Sequence, residues 1–198
     1  MGSTKGTDLQ PILDAIESGK LADVKISVVI SNKKDAFILE RAKKHNIDAV
    51  FVDGKDKSRE DFDKEVDKLL EEKKADLVLL IGYMKIMSPA FVQKWLNKVM
   101  NIHPSLLPAF AGGMDLNVHE EVLKRGCKIS GCTLIYIDEG ADTGPIILQK
   151  VCEIDNDETA DTLKAKVQKL EGEALIEGIE RFRDSKLKVE GTIVKVLK

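Results

Sequence analysis

No stretch of the 198 residues reaches the roughly 18 consecutive apolar residues that a membrane-spanning helix needs, and the opening MGSTKGTD lacks the basic and apolar regions of a secretory signal. A cytoplasmic protein that neither spans nor binds a membrane is therefore expected. Excess basic charge is missing too. Lys and Arg number 31 against 34 Asp and Glu, the net charge is -3 and the pI is near 5.7, so no global attraction to nucleic acid is expected. Cysteine is scarce. Cys127, Cys132 and Cys152 are odd in number and in no metal-ligand spacing, which argues against a disulfide framework and a structural zinc. Internal repeats and low-complexity segments are absent. What remains is a chain 43% apolar and 33% charged, as expected of one globular domain of ordinary size.

Apolar periodicity alternates along the first two-thirds. Leu9, Ile12, Leu13 and Ile16 repeat with helical spacing, and the β-branched run VKISVVIS at 24–31 reads as a strand. A helix at 36–44, a strand at 49–53 and a helix at 58–74 follow, the last opened by Ser58 with Asp61 three residues on and lined by Phe62, Val66, Leu69 and Leu70. DLVLLIGY at 76–83 has the nearly unbroken apolar character of a buried parallel strand, and Pro89 after Ser88 marks a short helix. Beyond a strand at 98–103 come a Pro- and Gly-rich segment and a helix at 117–126. Two strands at 128–138 and 145–154 are joined by EGADTG, and a long helix runs from about 157 to 183. The final GTIVKVLK reads as a last strand or a loose tail. This order predicts an α/β, Rossmann-like doubly wound fold: a mostly parallel mixed sheet with helices on both faces.

Such sheets bind ligands outside the carboxyl ends of their strands, so residues 83–87, 101–108 and 140–144 are expected to converge. NIHPSLLPAF carries Asn101 and His103 two residues apart, hence on one side of a strand, with Ile102 facing the other way. A neutral amide donor beside a charged imidazolium donor can stabilise the oxyanion formed when a nucleophile adds to a carbonyl. Asp142, on a Gly-flanked turn, supplies a carboxylate able to hold the imidazole or accept a proton. Taken singly, a His at a strand end is more often structural and an Asp in such a turn serves the turn. The weight lies in the combination.

NIHPSLLPAF and the later DTGPIILQ, together with SNKKDAFILERAKKHNI, GYMKIMSPAFV and VHEEVLKRG in that order, resemble the folate-dependent formyltransferases over nearly the whole chain. The resemblance implies one formyltransferase domain over 1–198, with a phosphate-binding half to about 100, a catalytic and folate half over about 101–186 and a tail at 187–198. It implies direct transfer of the formyl group of 10-formyltetrahydrofolate to an amine, without a metal, by the catalytic trio Asn101, His103 and Asp142. For a chain of this length the implied acceptor is glycinamide ribonucleotide, in purine biosynthesis. The loop Met84, Lys85, Ile86 and Met87, with Ala141 and Asp142, is similar to the family's folate site. Gly6, Thr7 and Asp8 resemble its phosphate loop, at a helix start where free N–H groups favour an anion. Pro104 and Glu171 align with further acceptor contacts, Glu171 with one to the ribose hydroxyls, although a solvated helix carboxylate is an equally good reading of Glu171. The partners implied are small molecules, with a monomer or homodimer as the assembly.

The sequence also departs from the family. Relatives carry an apolar strand before the phosphate loop; without it, unpaired backbone groups are expected, with 191–198 as the segment to cover the gap. Asp8 stands where relatives have Asn, placing a negative charge by the phosphate, though Asp is a good N-cap. Ile135 and Asn117 replace histidines, and His119 on an amphipathic helix is expected to be structural or to line the substrate pocket. The alternatives are transfer to an amino sugar nucleotide or methionyl-tRNA, hydrolysis of the formyl donor, and folate or nucleotide binding without catalysis. The first two classes generally carry an additional domain.

Overall fold

A computed structural model describes residues 1–113 and 116–198, and its chain divides into two compact units, Met1–Met100 and Asn101–Lys198. In the first unit, helical spacing is realised as α1 (Leu9–Glu17), with Leu9, Ile12, Leu13 and Ala15 turned into the core. The β-branched run that follows contributes less strand than its composition predicts. β1 is only Val29–Ser31, because a ladder requires a partner and β1 pairs in parallel with the three residues of β2 (Ala49–Phe51), from Val29↔Ala49 to Ser31↔Phe51. Between them α2 (Phe37–Lys44) buries Ile38, Leu39 and Ala42.

Helix α3 (Arg59–Glu72) begins where Ser58 predicts, its hydroxyl accepting the Asp61 N–H at 3.0 Å. Its inward face carries Phe62, Val66 and Leu70, each fully buried side chain worth about 1.5–3 kcal/mol relative to exposure. One polar residue, Asp63, shares that face. β3 (Val78–Leu80) leads through residues 81–88 to α4 (Pro89–Lys94), capped by Ser88, whose Oγ accepts the Phe91 N–H.

Residues 1–3 pair with strands of this unit. Met1 donates its amino group to the Leu79 carbonyl at 2.6 Å and accepts the Ile81 N–H at 2.8 Å, the slanted pattern of a parallel pair. Gly2 then donates to Ile30 and Ser3 to Gly82. Residues 1–3 thus tie β1 to β3 themselves.

The second unit contains the end of β4 (Val99–His103), then α5 (Leu116–Lys124), β5 (Ile129–Tyr136), β6 (Ile146–Glu153), α6 (Ala160–Arg183), β7 (Leu187–Glu190) and β8 (Ile193–Val196). Its strands lie in the order β4, β5, β6, β8, β7. β5 and β6 are antiparallel, with a register shift between Leu134 and Ile135, and α6 packs across both. A Cβ on Gly131 would lie 1.9 Å from the Lys150 carbonyl oxygen, so only glycine allows this approach of the two strands. The predicted tail is a hairpin: β8 pairs in parallel with β6 and antiparallel with β7. The C-terminus therefore extends the β6 edge. β7 escapes a hydropathy reading because Lys188 and Glu190 alternate with its apolar residues, as suits an outer strand.

Candidate active site

Asn101 and His103 occupy the last three residues of β4, and both reach one carboxylate. Asn101 Nδ2 donates to Asp142 Oδ1 at 3.3 Å, and His103 Nδ1 lies 3.2 Å from Asp142 Oδ2. The two-residue spacing thus places both side chains on one target, while Ile102 is buried at 7% exposure. His103 itself is buried, at 3% exposure.

The turn bearing Asp142 is built to hold it. Asp142 sits at φ 57°, a left-handed conformation that Asp tolerates better than most residues. Asp138 accepts both the Gly140 N–H at 3.0 Å and the Thr143 hydroxyl at 2.7 Å, closing the turn with its own carboxylate. Gly144 lies so close to the Tyr136 carbonyl that a Cβ would be 1.9 Å from the oxygen. Asp142 Oδ2 also accepts the Gly112 N–H at 3.0 Å.

Hydrogen-bond bookkeeping at His103 is informative. Its Nε2 faces the Phe110 carbonyl at 3.1 Å, an acceptor only, and its Nδ1 faces a carboxylate. Both ring nitrogens thus lie opposite acceptors. The pair Asn101 and His103 is thus an array of donors around one negative charge, the electrostatics an oxyanion requires.

The segment after β4 is anchored by residues no motif singles out. Ser105 donates to the Ala109 carbonyl, Thr133 Oγ1 donates to the Ser105 carbonyl and accepts the Leu107 N–H, and Gln149 Nε2 reaches the Leu107 carbonyl and Thr133. The Leu107–Pro108 peptide is cis. The one sequence signal for Thr133 is a hydroxyl in an otherwise apolar strand, where burial demands partners.

Residues 1–179 match the family described as Formyl transferase. The chain belongs to the formyl transferase family. It is 41% identical over 168 residues to the trifunctional purine biosynthetic protein adenosine-3 of Bos taurus, a match covering 84% of this chain and 16% of that protein. The chain thus spans about a sixth of the length of the curated relatives it matches. Among solved structures, glycinamide ribonucleotide transformylase 1 from Symbiobacterium toebii superposes with a TM-score of 0.93 at 36% identity, covering 100% of this chain and 92% of that one. A formyltetrahydrofolate deformylase from Pseudomonas syringae pv. tomato str. DC3000 gives 0.90 at 28% identity, with 100% and 64% covered.

For a formyl transferase, the remaining expected residues are placed as follows. In the second unit, Ala141 is exposed next to Asp142 and Pro104 is half-buried directly after His103. Glu171 on α6 is buried at 6% exposure, which overturns the solvated reading. His119 on α5, a helix packed against α6, is buried at 2%. In the first unit, Met84 and Ile86 are exposed at 46% and 57%, whereas Met87 is buried at 4%. Lys85 holds its ammonium 4.4 Å from the centroid of the Phe62 ring. The Met84 N–H donates to Ser3 Oγ at 2.9 Å, joining this loop to the N-terminal segment. Gly6 has φ 60°, and a Cβ there would lie 2.3 Å from Ile38.

One expectation at the start of α1 fails. Asp8 is the residue before the helix but makes no side-chain capping bond, its backbone being already helical at φ −74°, ψ −6°. The Leu9 and Gln10 N–H groups donate to the Gly6 and Thr7 carbonyls at 3.1 Å each. Among the described residues, no group of three or more His, Cys, Asp or Glu is arranged to hold a metal ion, and no helix is long and apolar enough to cross a membrane.

Proposed function

We propose that this chain transfers the formyl group of 10-formyltetrahydrofolate to the amine of glycinamide ribonucleotide, a step of purine biosynthesis. The observation that carries the reading is the carboxylate of Asp142 held between Asn101 Nδ2 and His103 Nδ1. The similarity to a glycinamide ribonucleotide transformylase over the full chain supports the acceptor. The amine nitrogen attacks the formyl carbon, and the carbonyl electron pair moves onto oxygen. Asn101 and His103 donate to that oxyanion, and its collapse expels the folate nitrogen, which takes up a proton. Asp142 orients His103 and relays the proton lost by the amine. Because His103 Nε2 is engaged by the Phe110 carbonyl, productive binding exchanges that contact for the formyl oxygen.

In this reading Met84, Lys85, Ile86, Met87, Ala141 and Asp142 hold the folate. Gly6, Thr7 and Asp8 meet the phosphate through backbone groups, Pro104 borders the acceptor and Glu171 takes the ribose hydroxyls. The protein works in the cytoplasm on small molecules.

The test is formyl transfer to glycinamide ribonucleotide followed by absorbance of the folate product, with His103→Ala as control. Loss of one oxyanion donor should lower kcat by about 10²–10³-fold in a chain that still folds. Near-native turnover by His103→Ala would overturn the assigned mechanism. Donor consumption with the amine omitted would instead identify hydrolysis, the activity named for one structural relative.

A further inference from the structure

Asp63 is out of place by the logic of its helix. It lies on the face of α3 that buries Phe62, Val66 and Leu70, at 2% exposure, where a carboxylate must be compensated. One oxygen is compensated: Oδ2 accepts the Ser88 N–H at 2.5 Å, the residue that caps α4. Oδ1 is buried with no hydrogen-bond partner among the described residues, and the same holds for the hydroxyl of Tyr83. No hydrogen bond joins the two groups. They are near enough for the Asp63 charge to act with burial, the larger cause, in pushing the Tyr83 hydroxyl to a higher pKa.

Tyr83 and Ser88 bracket the loop that exposes Met84 and Ile86. We infer that Asp63 is a positioning residue for this loop, fixing residue 88 through its amide. Between those ends, Ser3 Oγ holds the Met84 N–H, and Lys85 rests on the ring of Phe62, the neighbour of Asp63. The loop's backbone is thus set from beneath by one helix, leaving Met84 and Ile86 free to meet a flat heteroaromatic ligand. This rests on the reading of residues 84–87 as the folate loop. It adds what that reading lacks, a buried group outside the ligand contacts on which donor affinity depends.

The measurement pairs steady-state kinetics with amide hydrogen exchange on the full chain for Asp63→Asn. Asp63→Asn keeps the shape and replaces a charge-assisted bond by a neutral one. The KM for 10-formyltetrahydrofolate should rise about tenfold, with kcat and the acceptor KM unchanged. Exchange at residues 84–88 should accelerate while the amides of α3 stay protected. Unchanged exchange and unchanged donor KM would overturn the inference. So would a loss of protection spread through α3, which marks a merely structural carboxylate. If exchange at 84–88 responds but the unsubstituted chain binds no folate, the anchor stands and the folate reading of the loop falls.

Discussion

At the scale of single residues, the site is an arrangement of donors about Asp142, and Asn101 is the position where charge can be changed with least change of shape. Asn101→Asp would set a second carboxylate where Nδ2 now lies 3.3 Å from Asp142 Oδ1. Two like charges at that distance repel, and the donor to the oxyanion is replaced by an acceptor. Asn101→Gln keeps an amide at the wrong reach. Both should lower kcat, Gln by about 10²–10³-fold as expected for one misplaced oxyanion donor and Asp by more, a ranking that single-turnover kinetics reads directly. Equal losses would mean that the charge of residue 101 is irrelevant. Asn101, His103 and Asp142 were legible in the sequence because strand periodicity fixes which side chains share a side, and turn chemistry marks Asp142. Asp138, Thr133 and Gln149 were not. Thr133 and Gln149 meet across the β5–β6 register and reach the backbone of residues 105 and 107, long-range bonds that no local pattern announces, whereas Asp138 closes its own turn through Gly140 and Thr143.

At the scale of elements, what could be read depended on whether the cause was local. The start of α3 is local: Ser58 accepts from Asp61 N and donates to Asp61 Oδ2 at 2.8 Å. Replacing Ser58 by Ala should therefore destabilise the chain by about 1 kcal/mol, seen as a lower urea midpoint at unchanged slope. Thr159 and Thr162 form the equivalent box at α6, where Thr162 Oγ1 accepts the Thr159 N–H at 3.0 Å, an arrangement hidden by a threonine standing where Glu or Gln is the usual signal. Thr159→Ala should cost a similar amount. The short β1 and the β7–β8 hairpin were misjudged for the opposite reason. Strand ends are set by where a partner stops, and Val29 begins β1 because Ala49 begins β2. Composition is silent on that.

At the scale of the whole chain, the consequence least visible in the sequence follows from residues 1–3 bonding both β1 and the segment around β3. Met1 is half-buried as a residue, and the enclosed part is its amino group, donating to the Leu79 carbonyl. Burial lowers the pKa of that amine from 8.0 to about 5. The folded amine therefore stays neutral where the unfolded one takes a proton. Between about pH 5 and 8 the unfolded chain binds more protons, so stability must rise with pH across that window and level off above it. Below about pH 5 the penalty is present in full, and a shift of this size corresponds to roughly 4 kcal/mol. Melting temperatures of the 198-residue chain should climb from pH 5 to 8 accordingly. One residue added before Met1 carries the charge away and leaves an amide to bond Leu79, so the extended chain should lose most of that climb. If both chains show the same profile, the amine is not buried against β3.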